Sequence, residues 1–185
     1  DAGAYGIICP MVNSAEEAAR FVSYLRYPPL GQRSFGPTRV NFAAGANYAG
    51  EANDNILAFA MIETAEGMAN LDAIAATPGL DGIYVGPADL TLSLTGGRLP
   101  PGFDREEPEM IAALHKIVAA CRANGIRAAL HCGTPDYAAR AIGWGFDMTT
   151  VGGDSRFLAA AAAAAVQGFR KLTAADGTTG EKGAY

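Results

Sequence analysis

Ile56-Leu57-Ala58-Phe59-Ala60-Met61-Ile62-Glu63-Thr64 opens on an unbroken apolar run and closes on a carboxylate and a hydroxyl. An apolar run of this length with no polar alternation fits a strand buried on both faces, as in a parallel sheet. Thr64 then stands where a helix needs a side-chain cap, and the helical pattern continues to Ala76 before Pro78-Gly79 stops it. The same unit recurs in both directions along the chain. Upstream, Tyr5 to Cys9 precedes Asn13-Ser14-Ala15-Glu16-Glu17, a helix start with acidic residues in its first turn, and an amphipathic stretch reaching about Arg26. Downstream come a strand from Asp81 to Val85, a long helix from Glu106 to Asn124 ended by Gly125, and a strand from Ile126 to His131. A helix opening at Pro135, a strand from Phe146 to Val151 and a last helix from Asp154 to about Leu172 complete the series.

Five strand-then-helix units indicate an α/β fold with a parallel sheet, expected to be covered on both faces. An open doubly wound sheet and part of a (β/α)8 barrel both satisfy that pattern. The first strand ends Cys9-Pro10-Met11-Val12 and lacks the glycine-rich phosphate turn usual in the doubly wound class, which favours the barrel. A complete barrel is typically about 250 residues, so five units in 185 residues imply three more. The barrel domain is expected over residues 1–174, and the Gly- and Thr-rich residues 175–185 are expected to form a frayed tail. The segment from Tyr27 to Asn55 is long for a βα connection; it reads either as a functional loop or as an excursion packing on a neighbouring subunit.

Composition narrows the function classes. A formal charge of −5 with no basic stripe argues against nucleic acid as a partner. No run of roughly 20 apolar residues is present to span a membrane, and no secretory signal opens the sequence. Cys9, Cys121 and Cys132 are odd in number and lack metal-site spacing, which fits a reduced cytoplasmic protein.

In parallel α/β proteins the chemistry gathers at the carboxyl ends of the strands. Those ends offer Pro10; Glu63; Gly86-Pro87-Ala88-Asp89; His131 and Cys132; and Gly152-Gly153-Asp154. Glu63 and Asp89 fall at the ends of successive strands, about 4.8 Å apart if those strands are neighbours, close enough to share one cation. All-oxygen ligands suit Mg²⁺ or Mn²⁺. Each carboxylate alone reads equally well as a helix or turn cap. Gly152-Gly153-Asp154 could serve as a phosphate site, although a tight turn with an aspartate cap is the simpler reading. Lys116, Lys171 and Lys182 fall in helices or the tail, so no lysine is placed for Schiff-base chemistry. His115 reads as a surface or packing residue in a helix, and His131 as a candidate pocket residue.

The ordered set of motifs resembles the metal-dependent pyruvate aldolases of the HpcH/HpaI type. It comprises Asp1-Ala2-Gly3-Ala4, Pro10-Met11-Val12, Arg26-Tyr27-Pro28-Pro29-Leu30-Gly31-Gln32-Arg33, Ser34-Phe35-Gly36, Ile62-Glu63-Thr64, Asp81-Gly82, Gly86 to Leu90 and Val151-Gly152-Gly153-Asp154. The resemblance implies a (β/α)8 barrel of the pyruvate/phosphoenolpyruvate-binding type, with this chain as units four to eight. It implies that Glu63 and Asp89 hold the metal, with Mg²⁺, Mn²⁺ or Co²⁺ as candidates. It implies that the Ala88 and Asp89 amides, presented by the Gly86-Pro87 turn, receive the pyruvate carboxylate. The implied reaction is reversible cleavage of a 4-hydroxy-2-oxo acid to pyruvate and an aldehyde, in a homo-oligomer that is hexameric or built from dimers. The family's general base, its partner acid and a pyruvate-binding arginine belong to the first three units, so no residue here inherits those roles, and this chain alone is not expected to be competent. Several members carry glutamine where this sequence has Met61. Two rival readings follow: a related lyase acting on a CoA thioester, for which Arg26, Arg33 and Arg39 are the available basic cluster, and a barrel subunit that has lost activity.

Overall fold

A computed structural model describes residues 1–175. The chain divides into two units, Asp1–Val151 and the described residues from Gly152 onward.

The first unit contains β1 (Gly6–Cys9), α1 (Ala15–Leu25), α2 (Thr38–Ala44), α3 (Tyr48–Asn55), β2 (Leu57–Ile62), α4 (Ala65–Ala69) and α5 (Leu71–Ala75). It continues with β3 (Gly82–Val85), α6 (Pro87–Thr95), α7 (Pro108–Ala123), β4 (Arg127–Leu130), α8 (Pro135–Trp144) and β5 (Met148–Thr149). The strands form one sheet in the order β1-β2-β3-β4-β5, and every neighbouring pair is parallel. This order separates the two architectures left open above. Right-handed crossovers that each advance one strand in the same direction place every intervening helix on the same side of the sheet. A doubly wound sheet needs a reversal of direction to cover its second face, and there is none here. The fold is that of a (β/α)8 barrel wall.

Side-chain alternation along the strands matches. Ala58, Ala60, Ile62, Ile83, Val85, Ala128 and Leu130 face the helices and join a large core with Leu71, Ile74, Leu114 and Ile117. Each of the isoleucine, valine and leucine side chains contributes about 1.5–3 kcal/mol on burial. The opposite face carries a smaller cluster of Phe59, Tyr84 and Ala129 with Met61 packed against it. Among the described residues, therefore, helices cover one face, and the expectation of cover on both is corrected.

The helix starts follow the sequence signals. Ser14 accepts from the Glu17 N–H at 3.2 Å while Glu17 Oε2 accepts from the Asn13 N–H at 2.7 Å, close to a capping box. Thr64 caps α4 through the Gly67 N–H at 2.9 Å, and Thr134 caps α8. Three details differ from the sequence reading. The helix to Ala76 is two short helices meeting at Asn70. Gly86-Pro87-Ala88-Asp89 opens the helix α6 rather than a short turn. The Tyr27–Asn55 segment folds into α2 and α3, closed over its own cluster of Tyr27, Val40, Tyr48, Ala52 and Ile56; its apolar residues are spaced too sparsely to announce helices, and packing forms them.

In the second unit, α9 (Asp154–Ala175) begins at Asp154, whose Oδ1 accepts from the Ser155 N–H, and its residues through Leu172 and Thr173 are exposed. The expected tail lies outside the described residues from position 176 onward.

Candidate active site

A cleft of about 590 Å³ opens at the carboxyl ends of β1 to β4 and is lined by Pro10, Met11, Met61, Glu63, Tyr84, Gly86, Pro87, Ala88, Asp89, Phe103 and His131. Glu63, Gly86, Pro87, Ala88 and Asp89, singled out for metal and pyruvate, all lie in it. An adjoining hollow is again bordered by Met11, Glu63 and Asp89.

Glu63 follows β2 directly and is buried, with 5 % of its surface exposed. Its Oε1 accepts a 2.7 Å hydrogen bond from the Met11 N–H at the end of β1. Burial pushes the Glu63 carboxyl above its ordinary range; the Met11 N–H pulls the other way, and the Asp89 charge adds to the rise. Two carboxylates close enough to repel, one of them buried, make a donor set that a divalent cation suits. Among the described residues no three His, Cys, Asp or Glu side chains converge, so the protein ligands of such a cation would be this pair, leaving positions for water and substrate.

Asp89 sits exposed in the first turn of α6. The first intrahelical bond of α6 runs from the Leu90 N–H to the Gly86 carbonyl. The N–H groups of Ala88 and Asp89 therefore fall ahead of the helix ladder, at the positive end of its dipole, where an anion is favoured. Gly86 is required by the carboxylate beside it. A Cβ there would overlap Glu63 Oε2 and lie 3.0 Å from both Glu63 Cβ and Met61 Sδ.

On the other side of Gly86, His131 Nδ1 is 2.9 Å from the Tyr84 hydroxyl. The Phe103 ring stacks obliquely on the imidazole, centroids 4.7 Å apart and planes at 54°. Tyr84, Phe103 and Met11 are the site residues the sequence reading missed. Strand alternation could have placed Tyr84 on the inner face, since it lies two residues before Gly86. Phe103 arrives from an irregular loop and has no local signal.

Other candidates fall elsewhere. Cys132 is fully buried, and burial pushes its thiol up to about 12. His115 is exposed on α7, edge-on to Trp144. Arg26 is buried, donating to the Ile56 carbonyl at 2.6 Å and pairing with Asp81 at 3.2 Å. Arg33 pairs with Asp1 and covers the Tyr27 ring at 4.4 Å. Of the three arginines considered for CoA phosphates, these two are thus held by partners within the chain.

Fold and site define a parallel α/β barrel protein with a paired-carboxylate centre at its strand ends. The sequence profile of the HpcH/HpaI aldolase/citrate lyase family matches residues 1–161. A hydroxypyruvate/pyruvate aldolase of Rhizorhabdus wittichii is 41% identical over 172 residues, covering 93% of this chain and 67% of the relative. A 2-keto-3-deoxy-L-rhamnonate aldolase of Salmonella dublin is 36% identical over 160 residues, covering 84% of this chain and 57% of the relative. The crystal structure of an HpcH/HpaI aldolase/citrate lyase family protein from Burkholderia cenocepacia superposes with a TM-score of 0.78 at 30% identity, covering 91% of this chain and 66% of that one. The chain belongs to the HpcH/HpaI aldolase/citrate lyase family. It spans 57% to 67% of the length of these relatives. Among the described residues no helix is long and apolar enough to cross a membrane.

Proposed function

We propose that the protein is a metal-dependent aldolase that reversibly cleaves a 4-hydroxy-2-oxo acid to pyruvate and an aldehyde. The observation that carries this reading is the pairing of Glu63 with Asp89 beside the amino terminus of α6, with the Glu63 carboxylate lying close over Gly86. The names of the relatives, aldolases of 2-oxo acids, agree with it.

Glu63 and Asp89 would hold the cation, Mg²⁺, Mn²⁺ or Co²⁺, which would supply Lewis-acid stabilisation of the charge developing on the substrate's keto oxygen. The Met11 N–H fixes the Glu63 carboxylate, so that its charge is ready before substrate arrives. The amides of Ala88 and Asp89, presented by Gly86-Pro87, take the carboxylate of the 2-oxo acid. With the carboxylate and the keto oxygen of the three-carbon unit held, the C3–C4 bond breaks. Its electron pair passes to C3 and the keto group, the C4 hydroxyl loses its proton to become the aldehyde, and C3 later gains a proton. No residue of this chain is assigned as the base. The five units are read as units four to eight of the barrel within a domain over residues 1–174, in a cytoplasmic homo-oligomer.

The test needs no knowledge of the aldehyde. Pyruvate in D₂O with the intact gene product should exchange its methyl protons when Mn²⁺ or Mg²⁺ is present. Exchange should vanish with EDTA and in Glu63→Ala or Asp89→Ala. Metal bound without exchange would overturn the assignment in favour of a CoA-thioester lyase or an inactive barrel.

A further inference from the structure

The strand registers place Glu63, Gly86 and His131 in one layer. Met61 pairs with Tyr84, and Tyr84 with Ala129. Two residues on, the parallel ladder continues through the Gly86 N–H to the Ile62 carbonyl and the His131 N–H to the Val85 carbonyl, each 3.3 Å. Glu63, Gly86 and His131 therefore face inward side by side, directly above Met61, Tyr84 and Ala129. The two flanking strands are about 10 Å apart, being two strand spacings. Gly86 lets the Glu63 carboxylate lie close over its backbone, and the cleft of about 590 Å³ opens between that carboxylate and the imidazole.

Away from Glu63 and Asp89 the cleft is largely apolar, with Pro10, Met11 and Met61 on the Glu63 side, Phe103 beside His131 and Tyr84 as the floor. His131 is held from two directions, by the Tyr84 hydroxyl at Nδ1 and by the Phe103 ring. With Nδ1 committed, Nε2 is the ring nitrogen that remains for a bound molecule. A fixed polar nitrogen facing a largely apolar cleft favours a ligand that hydrogen-bonds to it, because an isosteric apolar ligand leaves it desolvated and unpaired.

We propose that His131, positioned by Tyr84 and Phe103, is a specificity-determining residue that selects aldehydes bearing a hydroxyl next to the carbonyl over apolar aldehydes of the same size. The inference rests on the aldolase reading: the 2-oxo acid occupies the Glu63 wall, and its aldehyde partner meets the opposite one.

Glycolaldehyde and propanal differ by one hydroxyl in place of one methyl, so the change in their kcat/KM ratio between wild type and variant, in aldol addition with pyruvate, reads this contact, the intrinsic reactivities of the two aldehydes cancelling. The ratio should favour glycolaldehyde by about 10-fold or more in the wild type, the size of one hydrogen bond in a partly open site. His131→Leu should lower the ratio about 10-fold, His131→Gln should keep part of the preference, and Tyr84→Phe, which releases the ring, should lower it. A general loss of activity does not mimic this result, because the ratio is independent of absolute rate. Should His131→Leu not fold, as judged by circular dichroism, the Gln and Phe variants carry the test. A wild-type ratio near unity, or a ratio unmoved by the variants while pyruvate methyl exchange persists, overturns the assignment to His131. Absence of exchange in the wild type overturns the aldolase reading instead.

Discussion

The backbone N–H of Met11 donates a 2.7 Å hydrogen bond to Glu63 Oε1, with Met11 itself at φ 57°. A residue other than glycine seldom occupies this left-handed region, and doing so costs of order 1–3 kcal/mol. The turn after β1 thus holds an unfavourable backbone conformation at the point where it orients the buried carboxylate. Met11→Gly should leave stability within about 1 kcal/mol of wild type, since its side chain is half exposed and glycine adopts this φ freely. Met11→Ile should cost about 1–3 kcal/mol, because a β-branched side chain is least tolerated there. Thermal denaturation of the two variants distinguishes them; equal midpoints would show that the turn stores no strain.

The raised Glu63 pKa fixes the sign of a pH effect. Burial comes first among its causes, then the opposing Met11 N–H, then the Asp89 charge. An acid whose folded pKa exceeds its unfolded one binds its proton more tightly when folded. The penalty for ionising it is absent below the ordinary value of 4.5, grows as pH rises toward the folded pKa, and is complete above it. Glu63→Gln should therefore stabilise the metal-free protein at pH 7 and lose that advantage on acidification below about 4.5, while weakening Mn²⁺ binding. Urea midpoints at pH 7 and pH 4 in EDTA measure it; an advantage that grows on acidification would refute the argument.

Gly86→Ala tests the close approach. The backbone at Gly86 has φ −95°, which alanine tolerates, so the consequence is steric. The added Cβ displaces the Glu63 carboxylate. Mn²⁺ affinity should fall about 10- to 100-fold, the range seen when groups supporting a metal ligand are disturbed. Titration calorimetry with circular dichroism as the folding control reads the result.

Asp104, at φ 54°, accepts from the Gly133 N–H and the Thr134 hydroxyl, both at 2.8 Å, and so ties the Phe103 loop to the turn after β4. Asp104→Ala should cost about 1.5–3 kcal/mol, as for hydrogen bonds to a charged group. Asp104→Asn, which tolerates the same backbone region, should cost less. Both are measured by urea denaturation.

Burial pushes the thiols of Cys121 and Cys132 up to about 12. At pH 8 their thiolate fraction is of order 10⁻⁴, so neither should react with a disulfide reagent at a useful rate. Cys9, partly exposed, should label first, and all three only in denaturant. Rapid native labelling of Cys132, located by mass spectrometry, would contradict its burial.

Local order along the chain determined the five βα units, the helix starts after Asn13 and at Pro135, the cap at Thr64, and the two carboxylates at strand ends. These are short-range properties: an apolar run, a hydroxyl three residues before an N–H, an acid directly after a strand. Helices α2, α3 and α6 were not legible, because their apolar positions are few or shared with the site, and packing rather than periodicity forms them. Nor was the Met11 contact to Glu63, since a backbone N–H is the same at every residue and its role is set by φ. Only the tertiary structure decided that the strands follow in sequential parallel order, which makes a barrel wall rather than a doubly wound sheet. It also decided that Glu63, Gly86 and His131 share a layer. Strand pairing brings together residues far apart in the chain, and the register that aligns them is fixed by packing across strands, which no local pattern of residues encodes.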